Sequence, residues 1–310
     1  MALCYSQNRE EIESKTRAIL GNLYQDVKYQ DESINYQMQI TIGACAFELL
    51  VNDMVVYRDP GYDASASVSL NTGINEFILQ SGTQTWELRV YPPEMNDVRL
   101  TALPEGVAIM VRLEAIRYVE KGIEKLMEPV YLIRTPQVEK QGDLVYADAG
   151  KPMMVYKGVF EAKVPYQLTG WSKSKDLRKM DQNKLQEMVL NEYRTIGTFL
   201  QEGNLEQLAL RKKNSYIERA QSLFYTPVEN EVIVNDFIEV YGAPNMKTLP
   251  IENYKMTFWG NGRVATLERT DYWYNPALIT DVKIDGKDSN YSYYIFLHIP
   301  EGSEKLEIIR

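Results

Sequence analysis

DQNKLQEMVLNEYRTIGTFL, residues 181–200, sets Leu185, Met188, Val189, Tyr193, Ile196 and Leu200 three and four positions apart. That spacing is one face of an α-helix. Asp181 suits its N-cap, and Gly203-Asn204 breaks it. A second stripe follows at Leu205, Leu208, Ala209, Ile217, Ala220, Leu223 and Phe224, stopping before Pro227. The basic run Arg211-Lys212-Lys213 reads as the solvated face of this helix. Upstream, over residues 36–166, apolar residues recur at every second position instead. This change of period near residue 180 predicts a β-rich front half and an α+β back half.

In the front half, Met38, Ile40 and Ile42 alternate with Gln37, Gln39 and Thr41. Phe47 to Tyr57 is broken by Asn52-Asp53, a hairpin turn pair. Ile74, Phe77 and Leu79 read as a strand leading to the turn Ser81-Gly82. Trp86, Leu88 and Val90 form the next, ended by Pro92-Pro93. Val107, Ile109, Val111 and Leu113 repeat the pattern, and shorter strands are expected at 130–133 and 153–164. Short strands with turn chemistry between them predict an antiparallel β-sandwich over 36–168. Residues 1–35 read as an N-terminal helix with Asn8 and Glu11 as its capping box and Ile12, Thr16, Ile19, Leu20 and Leu23 as its stripe. It is expected to pack across the following domain or against a partner. Residues 169–180 read as a linker with Trp171 as a packed anchor, and 181–310 as the second domain.

In the back half, Tyr254, Met256 and Phe258 lead to Gly260-Asn261-Gly262, a hairpin signal, with Val264 and Leu267 on the return. Tyr291, Tyr293, Ile295 and Leu297 alternate with Tyr294, Phe296 and His298. Pro300-Glu301-Gly302 then turns the chain into 306–309.

The 310 residues suffice for two domains. With 45% apolar and 25% charged residues, extended disorder is excluded. A net charge of -9 disfavours nucleic acid and anionic lipid as partners. No apolar run is long enough for a membrane span. A chain complete as given is expected in the cytoplasm, and one trimmed of a leader in the periplasm or outside. The two cysteines, Cys4 and Cys45, form neither a disulfide framework nor a metal spacing. Tyrosine stands out, 22 against 8 Phe and 4 Trp, and suits both half-buried sheets and binding faces.

Chemistry is sparse. The one histidine, His298, excludes a His-rich metal site and reads as a structural residue needing one hydrogen-bond partner. No phosphate loop or dinucleotide fingerprint is present, so no cofactor is expected. Asn290-Tyr291-Ser292 matches a glycosylation sequon, which has meaning only in a eukaryotic secretory setting. The remaining cluster is Asp271-Tyr272-Trp273-Tyr274, with Trp259 on the neighbouring strand. A carboxylate among aromatics can have a raised pKa and abstract a proton. The same residues serve recognition, or simply fill a strand end.

Two resemblances bear on the fold. The segment 47–57 followed by Ile74-Asn75-Glu76-Phe77-Ile78-Leu79 and Ser81-Gly82 resembles immunoglobulin-like accessory modules, implying a fold and no activity. Tyr193-Arg194-Thr195-Ile196-Gly197-Thr198-Phe199-Leu200-Gln201-Glu202-Gly203-Asn204-Leu205-Glu206-Gln207-Leu208 resembles the opening of NTF2-like (cystatin-type cone) domains, where a helix ends at a Gly-Asn step and a Leu-x-x-Leu helix begins. That resemblance implies a curved sheet wrapped on helices over 181–310. The family spans isomerases, dehydratases and non-catalytic binding modules, so it leaves function open.

The leading expectation is a non-catalytic binding or protein-interaction protein of unknown ligand, with Trp259, Asp271, Tyr272, Trp273, Tyr274 and His298 as binding residues. A homodimer is left open. One alternative is an isomerase- or hydrolase-type enzyme working in the C-terminal cone. Another is an acidic immunity-type protein neutralising a basic partner.

Overall fold

The computed structural model describes residues 2–284 and 286–310, with side chains from residue 9 onward. The chain is mostly β, with several antiparallel sheets and four helices among the described residues. It divides into two compact units, residues 31–167 and residues 1–30 with 168–310.

The chain opens with α1 (Ala2–Leu20). The unit of residues 31–167 then carries β1 (Asn35–Gly43), β2 (Ala46–Val51), β3 (Met54–Asp59), β4 (Ser67–Gly73) and β5 (Gly82–Tyr91). After them come β6 (Glu94–Met95), β7 (Val98–Arg99), β8 (Ala108–Val119), β9 (Gly122–Arg134), β10 (Gln137–Lys140), β11 (Asp143–Tyr146) and β12 (Met154–Ala162). Two four-stranded sheets run β4-β1-β8-β9 and β12-β5-β2-β3. Alternation explains their faces, because successive side chains leave a strand on opposite sides. Met38, Ile40 and Ile42 are buried opposite Leu113, Val111 and Ile109. Trp86, Leu88 and Val90 are buried opposite Val51, Leu49 and Phe47.

The other face of β2 carries a buried charge, Glu48, which meets Arg58 at 3.8 Å, Arg89 at 3.4 Å and the Tyr91 hydroxyl at 3.3 Å. A carboxylate out of water requires such partners. At the β2–β3 turn, Asn52 and Asp53 take φ of 52° and 59°, the left-handed pair a two-residue hairpin needs.

The reading of Ile74 to Leu79 as a strand is corrected. Asn75–Phe77 is a single 3₁₀ turn, pinned because the buried Asn75 side chain accepts from Tyr36 N–H (2.7 Å) and donates to Ile34 C=O (2.8 Å). The strand lies just before it as β4, an edge strand whose exposed Ser and Asn carry little apolar signal. The strand expected at 130–133 is the last part of β9.

The second unit comprises α1, α2 (Gln182–Glu202), α3 (Leu205–Ser222), α4 (Pro227–Tyr241), β13 (Lys247–Thr248), β14 (Tyr254–Trp259) and β15 (Val264–Arg269). It closes with β16 (Leu278–Ile284), β17 (Lys287–Tyr293), β18 (Leu297–His298) and β19 (Glu307–Ile308). Its sheets run β13-β16-β17 and β14-β15-β18-β19. Leu185, Val189, Ile196 and Leu200 of α2 share one core with Leu208 of α3, Phe237 of α4 and Leu267, Leu278 and Leu297 of the strands. The buried Tyr193 hydroxyl bridges β15 and Ile295, just beyond the residues where β15 and β18 pair. It accepts from Leu267 N–H (2.9 Å), donates to Ile295 C=O (2.7 Å) and meets Thr266 Oγ1 at 2.7 Å.

Several expectations change here. The N-terminal helix is part of this unit, with Leu20 and Leu23 in its core. It begins at Ala2, so Asn8 lies within the helix rather than at its start; the Asn8 and Cys4 side chains lie outside the described residues. Residues 169–180 are packed segment rather than linker, since Leu177 and Trp171 are buried and Leu177 N–H donates to Gly262 C=O. Ile217 of the second stripe is 37% exposed and Tyr216 is buried in its place. Lys212, expected in solvent, is buried.

Candidate functional site

β14 and β15 form a hairpin whose register pairs Trp259 with Val264 at one end and Tyr254 with Arg269 at the other. The two ends are separated by five residues of strand, roughly 16 Å. This divides the candidate residues. Trp259 is buried at the turn end, where Val264 also pairs with His298. Asp271, Tyr272, Trp273 and Tyr274 lie on the loop after β15, at the far end.

On that loop Asp271 takes both nitrogens of a fork, from Arg269 Nε at 2.7 Å and Nη2 at 2.6 Å. This bidentate pair is the strongest form of the contact. It holds the Asp271 carboxyl down to about 2, the opposite of the raised value a general base requires. The Arg269 guanidinium also stands 4.9 Å over the Tyr272 ring. Thr270 fixes the loop to Asn253 C=O through its N–H (2.6 Å) and hydroxyl (2.9 Å). Trp273 and Tyr274 meet edge to face at 5.5 Å, with Tyr274 at φ 58°. Tyr272 and Trp273 remain 55% and 38% exposed.

At the other end His298 is 6% exposed and its Nδ1 lies 2.7 Å from Ser174 Oγ, also buried. Burial, and then the nearby Arg310 charge, lower its pKa to about 4, so the imidazole is neutral at pH 7. Arg310 pairs with Glu218 (3.2 Å) and stands 5.4 Å over the Trp171 ring, and Glu218 accepts from Gly170 N–H (2.7 Å). A serine beside a histidine carries hydrolytic chemistry only where substrate reaches the hydroxyl. Here both side chains are closed in.

Two surface cavities border α2. One of about 390 Å³ is lined by Arg194, Gln201, Thr248 and Glu252, and one of about 260 Å³ by Ile12, Leu200, Leu205, Gly242 and Met246. Neither contains a residue named from the sequence as a site. Among the described residues no group of three or more His, Cys, Asp or Glu could hold a metal, and no helix is long and apolar enough to cross a membrane.

Three partnered or buried side chains of the second unit are not among the site residues named from the sequence. Arg269, two residues before Asp271, was a legible partner. Ser174 was not, because it reaches His298 only through the fold. Lys212 was legible by period, since it follows Leu205, Leu208 and Ala209 on the same face.

Compared with known proteins, the chain matches no family model, no curated protein and no solved structure.

Proposed function

We propose that the protein is a non-catalytic binding or protein-interaction protein, built from an immunoglobulin-like β-sandwich and an NTF2-like cone. In support of the sandwich, each four-stranded sheet has one apolar buried face. Tyr36 on β1 and Phe160 on β12, from different sheets, also bring their rings to 6.5 Å. In support of the cone, α2 and α3 share a core with the strands that follow them.

The observation that carries the function is the loop 270–275. Two large aromatic side chains are held outward on a backbone fastened by the Arg269–Asp271 fork and the Thr270–Asn253 bonds. Rigid aromatics with few rotors are what binding anchors require. The acid–base reading has less support, because Asp271 is locked as an anion and His298 is enclosed.

The test compares immobilised wild type with a Tyr272→Ser/Trp273→Ser variant in native lysate. A partner retained by the wild type is expected to be lost from the variant. Equal retention by both removes the loop from the interface, and steady turnover abolished by Asp271→Asn overturns the non-catalytic reading.

A further inference from the structure

The two four-stranded sheets of residues 31–167 end in β4, β9, β12 and β3. An edge strand leaves one row of N–H and C=O groups unpaired, which is a template for another strand unless something blunts it. β9 is blunted by Pro129 and by three register shifts against β8. β3 meets β2 with a shift at Leu49/Leu50. β4 turns Ser67, Ser69 and Asn71 to solvent, side chains that select no partner. β12 differs. Its nine residues contain no proline and pair with β5 in unbroken register from Met154 to Ala162.

The direction of its backbone groups follows from β5. Thr85 C=O accepts from Asn52 N–H, and Thr85 N–H donates to Asn52 Oδ1, each at 3.0 Å. Asn52 directly follows β2, so Thr85 turns both groups toward β2 and away from β12. Val159, opposite Thr85 in the ladder, therefore stands in a non-hydrogen-bonded pair, with its own N–H and C=O on the open side. By the two-residue period of a strand, Val155, Lys157 and Glu161 do the same. Their side chains share the face opposite the buried Phe160 and Ala162. Val159 is 63% exposed there, and Val155, Lys157 and Glu161 are exposed with it.

A second copy of β12 fits this edge. Laid antiparallel about a two-fold axis at Val159, each Val159 faces its counterpart, and each Lys157 faces a Glu161. Thr83 holds one oxygen of Glu161 at 2.5 Å, leaving the other for that lysine. Every one of these pairs joins residues whose backbone groups point outward, so each exchanges two N–H···O bonds. Moving the axis to Gly158 sets each charge against a valine, and moving it to Lys157 sets lysine against lysine. Charge and apolar contact together select the Val159 register.

We propose that the protein forms a two-fold dimer in which β12 of each copy pairs antiparallel, centred on Val159, joining two four-stranded sheets into one. The two-fold closes the assembly at two copies. One strand pair buries less than the roughly 1,600 Å² of a standard interface, so the dissociation constant is on the order of 10 µM. No residue of loop 270–275 takes part, so Tyr272→Ser/Trp273→Ser should associate as the wild type does.

Sedimentation equilibrium of the full-length chain from about 1 to about 500 µM provides the test. The average mass is expected to rise from that of one chain toward twice that value. Val159→Pro removes an N–H that bonds nothing within the sheet and should leave the chain monomeric throughout. Lys157→Glu sets like charges opposite each other twice and should weaken association about tenfold, and Lys157→Glu/Glu161→Lys should recover it. A wild type still monomeric at about 500 µM overturns the proposal. So does a dimer that Val159→Pro and Lys157→Glu leave unchanged, or a Lys157→Glu loss that the double exchange does not recover. Lys157 and Glu161 are exposed, so the charge variants decide the matter even if the proline variant does not fold.

Discussion

Among the described residues His298 has one hydrogen-bond partner, Ser174, and Arg310 as the cation that lowers its pKa. Protonation leaves the Nδ1–Oγ contact intact, because the hydroxyl can accept as well as donate. It places a second positive charge in a closed space beside Arg310. The folded pKa of about 4 lies below the ordinary 6.5, so the unfolded chain binds more protons between these values. Stability is therefore full above pH 6.5 and falls as pH drops through 6.5 toward 4, by on the order of 3 kcal/mol for this group. Urea midpoints measured at pH 7 and pH 4.5 should differ markedly in the wild type and much less in His298→Asn. An identical difference in both removes His298 as the cause. Asp176 and Asp271, each held to about 2, lose their pairing only at lower pH. That histidine was expected in a structural role from its strand position. Its serine partner, 124 residues away, could not be read from any local pattern. Lys212 differs: charge argued for solvent, but a period of 3.6 from Leu205 and Leu208 through Tyr216 places it inward. At this residue periodicity was the better guide.

At the scale of elements, α2 is where the sequence speaks most plainly. Asp181 accepts from Asn183 and Lys184 N–H at 3.0 and 3.1 Å, and Gly203 ends the helix at φ 65°. Asn204 then caps α3 by accepting from Gln207 N–H at 3.3 Å. Asp181→Ala leaves two N–H groups to water and should cost about 1 kcal/mol. At Gly203 an added Cβ meets nothing within 4 Å, so Gly203→Ala carries only the left-handed backbone penalty, also about 1 kcal/mol. Lower urea midpoints with unchanged slopes are the expected readout. A Gly203→Ala loss several times larger would mean that packing, not φ, selects glycine there. Other elements were hidden for different reasons. α4 had a signal, Thr226-Pro227-Val228-Glu229, which the structure realises as a capping box with proline in its first turn. β4 and β9 are edge strands whose side chains are largely exposed; β4 offers only Val68 and Leu70 as an alternating apolar pair, and of β9 only the stretch 130–133 was read as a strand.

For the whole molecule, the decisive fact is that the second unit is discontinuous in sequence, joining residues 1–30 to 168–310. Periodicity finds elements but not their partners, so α1 was legible as a helix while its destination was not. Its attachment is specific. The buried Asn230 side chain donates to Leu20 C=O at 3.0 Å and accepts from Tyr24 N–H at 3.2 Å. Gln221 and Lys28 exchange two bonds of 3.0 Å, and Gln30 donates to Tyr225 C=O at 2.7 Å. Leu20 and Leu23 complete the core. Removing residues 1–30 exposes the core positions these leucines cover, roughly 1.5–3 kcal/mol each. It also orphans the Asn230 amide, about 1–3 kcal/mol more. The sum approaches the whole stability of a domain, about 5–15 kcal/mol. A chain of residues 168–310 alone should therefore lack a cooperative thermal transition and regain one when the 1–30 peptide is added. Residues 31–167, whose strands pair among themselves, should melt cooperatively without help. The discriminating measurement is circular dichroism of the three samples. A 168–310 fragment that melts as sharply as the intact chain would show the N-terminal helix to be an attachment to this core rather than a part of it.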